Sequence, residues 1–117
     1  MHPNRSMPKL TTILAVIYDQ IPPSTEILLT HTPPYQTLDK TRRGTPAGCR
    51  QLAMKVDNLK SCRLHVFGHI HEAHGVLVQP DGQVGDDGET STHGRVSVNA
   101  AMAYYPVSQA VVIDLRN

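Results

Sequence analysis

Two short apolar runs, each delivering a histidine to a loop, constrain this chain more than any other feature. "EILLTH" (26–31) places Ile27, Leu28, Leu29 and Thr30 ahead of His31. "RLHVFGH" (63–69) places Leu64 to Phe67 ahead of Gly68 and His69. Four to five apolar or β-branched residues without polar alternation fit a strand buried on both faces. If the two strands are parallel neighbours, their histidines emerge together at one carboxyl-terminal sheet edge. Open α/β sheets place their sites at that edge.

The remaining pattern supplies the cover. "MPKLTTILAVIYDQIPP" carries Leu10, Ile13, Leu14, Ile17 and Ile21 at three- and four-residue steps. That stripe predicts an amphipathic helix, stopped by Pro22 and Pro23. "HTPPYQTLDKTRRGTPAG" reads as a long loop. From Pro46 to Leu59, the positions of Leu52, Val56 and Leu59, with Ala53 and Met54, predict a second helix. "GVLVQ" (75–79) and "RVSVNA" (95–100) bracket a polar stretch, 80–94, expected to be a flexible hairpin connection. "QAVVIDL" (109–115) is expected to close the chain as a last strand. The order of elements predicts an α/β fold with a mixed sheet. Two helices are too few to cover strands buried on both faces, so further cover is expected from elsewhere.

Bulk properties narrow the function classes. At 117 residues the chain is at most one small domain, able to bury roughly 65% of its unfolded surface. Eleven basic residues against ten acidic leave a formal charge of +1. The only basic cluster, "KTRRG" (40–44), reads as a solvated loop, so neither a nucleic-acid surface nor an anionic-membrane surface is expected. Cys49 and Cys62 have no C-x-x-C spacing and form no disulfide framework, which points to a reducing compartment. "ILAVIY" (13–18) falls far short of the roughly 20 residues of a membrane span and lacks a signal cleavage site. A cytoplasmic location is the expectation.

The chain has seven histidines. Imidazole is the commonest protein metal ligand and suits Zn, Mn, Fe, Ni and Cu. His69 and His71 form an i, i+2 pair that a strand-like backbone projects to one side. Gly68 permits torsions or a close approach that other residues resist. On residue pattern alone, ligation and ordinary surface or core roles are evenly balanced for His31, His69 and His71. For His2, His65, His74 and His93 the ordinary role is expected, with His65 packing inside its strand.

"LLTHTPP", followed about forty residues later by "LHVFGHIHEAHG", resembles the C-terminal half of a calcineurin-like metallophosphoesterase. The metallophosphoesterase-domain-containing branch, with "TH-x-PP" and "LHVFG-x-IHE", gives the nearest pattern. The similarity runs through 21–115 and takes in "GCRQLA" and "VNAA". Residues 1–20 match poorly, which sets an N-terminal helix apart from a partial metallophosphoesterase domain at 21–117. The resemblance implies the C-terminal half of a four-layer α/β/β/α sandwich that holds two divalent ions (Mn, Fe or Zn) at strand ends. It implies that His31 and His69 bind the second metal and His71 the first. Gly68 matches the motif glycine, and for Glu72 two roles are evenly balanced: orienting an imidazole through its free N–H, or a solvated loop carboxylate. Thr32, Pro33 and Pro34 would shape one wall of the pocket or, with equal weight, form a purely structural turn.

The family's first-half motifs do not occur in this sequence. No Asp is followed two residues later by His, the G-D of "GDDGE" (85–89) lies in the polar loop, and none of Asn4, Asn58, Asn99 and Asn117 precedes a histidine. No catalytic residue is therefore assigned. The expectation is a metal-dependent phosphoester hydrolase acting on a small phosphoester substrate, present here as a C-terminal part that is inert alone. The alternative is an inactive remnant binding one metal ion, a nucleotide or a partner chain. An open sheet edge would favour self-association.

Overall fold

The computed structural model describes residues 10–80, 94–102 and 110–115. The elements run α1 (Leu10–Asp19), β1 (Ile27–Leu29), α2 (Arg50–Asp57) and β2 (Leu64–Phe67). A 3-10 turn (His71–Ala73), β3 (Gly75–Gln79) and β4 (Arg95–Asn99) follow. The four strands form one sheet in the order β1-β2-β4-β3. β1 pairs parallel with β2, β2 parallel with β4, and β3 antiparallel with β4. The chain is thus α/β with a mixed sheet, as its pattern predicts. No described helix is long and apolar enough to cross a membrane.

α2 forms where Leu52, Val56 and Leu59 recur on one side, and all three are buried. Asn58 ends the helix, its N–H bonding back to the Lys55 carbonyl and the next N–H, of Leu59, to that of Val56. Beyond it, the Arg95 guanidinium of β4 donates to the Leu59 carbonyl at 2.6 Å and the Cys62 carbonyl at 2.9 Å. Carbonyls beyond a helix end need such partners. Leu28, Leu52, Val56, Leu59 and Cys62 make the core, with Tyr18, Ile21 and Cys49 packed against it. Of the expected stripe, Ile13 and Ile17 are exposed, whereas Leu14 is half-buried and Ile21, just beyond α1, packs against the core beside Tyr18.

Burial of both strands on two faces is corrected. In β1 only Leu28 is buried, while Ile27 is 51% and Leu29 71% exposed. Register explains this, because paired positions share a face. Leu28, His65 and Ser97 align on the side that packs against α2. The opposite side gathers Ile27, Leu29, Leu64, Val66, Val96, Val98, Val76 and Val78, every one aliphatic. Its outer rows, on β1 and β3, are open to solvent. The runs lack alternation because the second face is aliphatic as well, yet its rows on β1 and β3 lie open while Val98 between them is buried. The expected last strand is also corrected, since residues 110–115 have no regular structure and pair with nothing in the sheet. Most of the polar connection 80–94 lies outside the described residues.

Candidate functional site

The parallel pairing of β1 with β2 continues past the strand ends, where the Thr30 N–H donates to the Val66 carbonyl at 3.0 Å. The Gly68 N–H then donates to the His31 carbonyl, also at 3.0 Å. Both histidine loops therefore leave the sheet side by side. The next link is a three-residue turn, closed by the Ile70 N–H on the Gly68 carbonyl at 2.8 Å. His69 sits at its centre with φ +69°. A γ-turn of this hand is rare and strained for a residue with a side chain. Strain of this kind concentrates at functional sites. It sets the His69 ring against that of His31, with centroids 4.8 Å apart and planes at 48°. Both imidazoles are exposed.

The positive φ thus falls on His69 rather than Gly68. A Cβ added at Gly68 would meet only Ala101, at an ordinary 3.8 Å. The motif glycine contributes its N–H and its carbonyl, not an unusual backbone. His71 begins the 3-10 turn, exposed, and its carbonyl accepts the His74 N–H at 3.3 Å. Glu72 follows it and reaches across to the loop after β1, where its Oε2 accepts the Arg42 N–H at 3.1 Å. Its own N–H, the Arg42 N–H and nearby charge hold the carboxyl below its usual range. Among the described residues, no three His, Cys, Asp or Glu side chains come together to hold a metal ion. His31 and His69 are brought together; His71 is not placed with them as a third donor. As a donor set, the pair fits two positions on one divalent ion, and the three histidines do not make a complete site.

The loop from His31 to Cys49 is firmly built. The Cys49 N–H donates to the Pro33 carbonyl at 2.9 Å and the Tyr35 N–H to the Cys49 carbonyl at 3.0 Å. Pro33 and Pro34 are consequently buried, and Thr32 lines a cleft of about 610 Å³ with Tyr35, Cys49 and Arg50. The Arg50 guanidinium lies 4.0 Å over the Tyr35 ring. A second cleft, of about 630 Å³, runs between this loop and the 3-10 turn, lined in part by Lys40, Thr41, Arg42, Glu72 and His74. Its rim carries charges of both signs.

Three polar residues that hold this arrangement carry no recognisable motif. Asp39 is buried, and its Oδ2 accepts the N–H groups of Gln36 and Gly48, both at 2.8 Å. Gln36 and Leu38 beside it adopt positive φ. Asn99 is fully buried at the end of β4. Its Nδ2 donates to the Leu38 carbonyl at 3.0 Å and the Ile70 carbonyl at 2.9 Å, while its Oδ1 accepts the Ala101 N–H. It therefore ties the two histidine loops together from below. His65, expected only to pack, is fully buried but also bonds the Thr30 hydroxyl at 2.9 Å. Burial, with Arg95 nearby, lowers its pKa to about 4, so it is neutral at physiological pH. The available signal was a polar residue inside an apolar strand. His2 and His93 lie outside the described residues.

Metallophosphoesterase domain-containing protein 1 of Homo sapiens is 39% identical over 99 residues, covering 84% of this chain and 27% of that protein. The protein of the same name in Mus musculus matches equally. A UPF0046 protein of Caenorhabditis elegans is 39% identical over 79 residues, 65% of this chain and 27% of its own length. The chain thus spans about a quarter of the length of these curated relatives. No family model matches it, and no solved structure does.

Proposed function

This chain belongs to the metallophosphoesterase-domain branch, and from that premise we propose that it carries the histidine-bearing part of a metal-dependent phosphoester hydrolase. The observation that carries the proposal is the close approach of the His31 and His69 rings beyond the ends of two parallel strands. In this reading both imidazoles bind one divalent cation, and His71 serves a second ion in the complete centre. Glu72 steadies the turn that bears His71 by its bond to the loop after β1. Mn, Fe and Zn all suit such donors. A bound ion of this kind polarises a phosphoryl oxygen and lowers the pKa of its water.

Two ions need more donors than three imidazoles, so the bridging carboxylate and the remaining ligands must come from outside these motifs. The aliphatic face of the sheet fits the second half of the reading, in which another sheet packs there to complete a four-layer sandwich. The substrate is a small phosphoester, met at the carboxyl ends of β1 and β2. The test is Mn²⁺-dependent hydrolysis of an activated phosphodiester by the purified chain, beside a His69→Ala chain prepared identically. The chain alone is expected to be inert. Metal-dependent turnover that disappears in His69→Ala would show that other residues, or a second copy, complete the centre.

A further inference from the structure

We propose that His65 is a positioning residue, which acts through the Thr30 hydroxyl to hold His31 against His69. The proposal rests on the reading of His31 and His69 as a metal-binding pair, and adds a residue to it.

Hydrogen-bond direction fixes the role. The Thr30 hydroxyl has a single proton, and it donates that proton to the Thr32 carbonyl at 2.9 Å. Its contact with His65 Nε2, also 2.9 Å, must then run the other way, with Nε2–H as donor. Thr30 and Thr32 flank His31, so the hydroxyl-to-carbonyl bond spans that residue and closes the turn on which it sits. The backbone of Thr30 is fixed on Val66 and that of His31 on Gly68. What those two bonds leave free is rotation of the 30–32 turn about the strand axis, and the His65–Thr30–Thr32 chain removes it.

The cost of this arrangement argues that it has a use. With the proton on Nε2, Nδ1 is an acceptor, and it is buried with no partner. An unsatisfied buried acceptor is unfavourable, and an aliphatic side chain would fill this strand position without it. Phe67, two residues on, packs edge-on against the imidazole and excludes water from that side. His65 is therefore a poor core residue whose Nε2 does specific work. Outer partners that orient metal ligands behave in this way.

The test compares His65→Gln, His65→Asn and Thr30→Val with the full wild-type chain. A glutamine amide nitrogen reaches the place of Nε2, whereas an asparagine amide stops at the place of Nδ1. One readout, in metal-free protein, is the NMR ring-to-ring Overhauser effect between His31 and His69. The other is Mn²⁺ affinity from paramagnetic broadening of the same rings. His65→Asn and Thr30→Val are expected to lose the Overhauser effect and to weaken Mn²⁺ binding by about 10-fold or more. His65→Gln is expected to retain both. Wild-type behaviour in Thr30→Val overturns the proposal, and that variant keeps the test decisive if His65→Asn fails to fold. Equal losses in His65→Gln and His65→Asn also overturn it, because packing alone would then explain them. If Mn²⁺ binds the wild-type chain independently of His31 and His69, the metal reading fails instead. The Overhauser comparison then upholds or overturns positioning by itself.

Discussion

The ring of His31 lies tilted against that of His69 at a centroid distance of 4.8 Å, although the two residues follow different strands. Three things bring them there: parallel pairing of β1 with β2, the backbone bond from Gly68 to His31, and the γ-turn centred on His69. Each can be disturbed separately.

Gly48 lies under the Pro33–Tyr35 segment with no room for a side chain. An added Cβ would come within 2.6 Å of the Pro34 carbonyl carbon and 2.8 Å of the Tyr35 nitrogen, both of them backbone. Gly48→Ala is expected to destabilise the chain by about 1–3 kcal/mol, the usual range for overpacking. A urea midpoint equal to the wild type would show that the loop yields freely.

Asn99 offers a stronger perturbation. Asn99→Ala leaves the Leu38 and Ile70 carbonyls and the Ala101 N–H without their partner. We expect a loss of about 2–4 kcal/mol, since each stranded buried group is costly. Asn99→Asp should be at least as damaging, because it turns a donor toward two carbonyls into an acceptor. Amide exchange at Ala101 should accelerate in Asn99→Ala, and unchanged exchange there would contradict the assigned bond.

Legibility in the sequence followed the range of the interaction. The helix at Arg50–Asp57 and the β3–β4 hairpin were readable from periodicity and run length, whereas the pattern brought His31 beside His69 only on the condition that their strands pair in parallel. Asp39 was not, because its burial depends on backbone N–H groups at Gln36 and Gly48 that no motif marks. Asn99 serves carbonyls at Leu38 and Ile70, which are remote in the chain, so its neighbours give no hint of them. The strand runs misled for a physical reason: an aliphatic face reads the same whether or not anything covers it. The alternation within "VVIDL" was likewise insufficient to make a strand of 110–115, which gains no ladder partner in this sheet.

Adjacent leucines in β1 test that last point about cover. Leu28 is buried among α2 side chains and Leu29 faces solvent. Leu28→Ala is expected to cost about 2–4 kcal/mol, while Leu29→Ala stays within about 0.5 kcal/mol. Equal losses from the two substitutions in chemical denaturation would mean that the aliphatic face is covered in solution.

His65 makes stability depend on pH with a definite sign. Its pKa is lowered from 6.5 to about 4 in the fold, chiefly by burial. Below pH 6.5 the unfolded chain takes up a proton that the folded chain refuses. Its contribution is therefore complete above pH 6.5 and is lost as pH falls toward 4, in total on the order of 3 kcal/mol. His65→Gln should flatten that part of the stability–pH curve, and parallel curves for the two chains would contradict the assignment.

The most direct test of the central claim is an NMR titration of the 117-residue chain with Mn²⁺, following all imidazole resonances. The account predicts that His31 and His69 broaden together at the lowest Mn²⁺ concentrations, and that His69→Ala abolishes the effect at His31. Broadening that spares this pair, or that persists at His31 without His69, would contradict a shared metal site at the ends of β1 and β2.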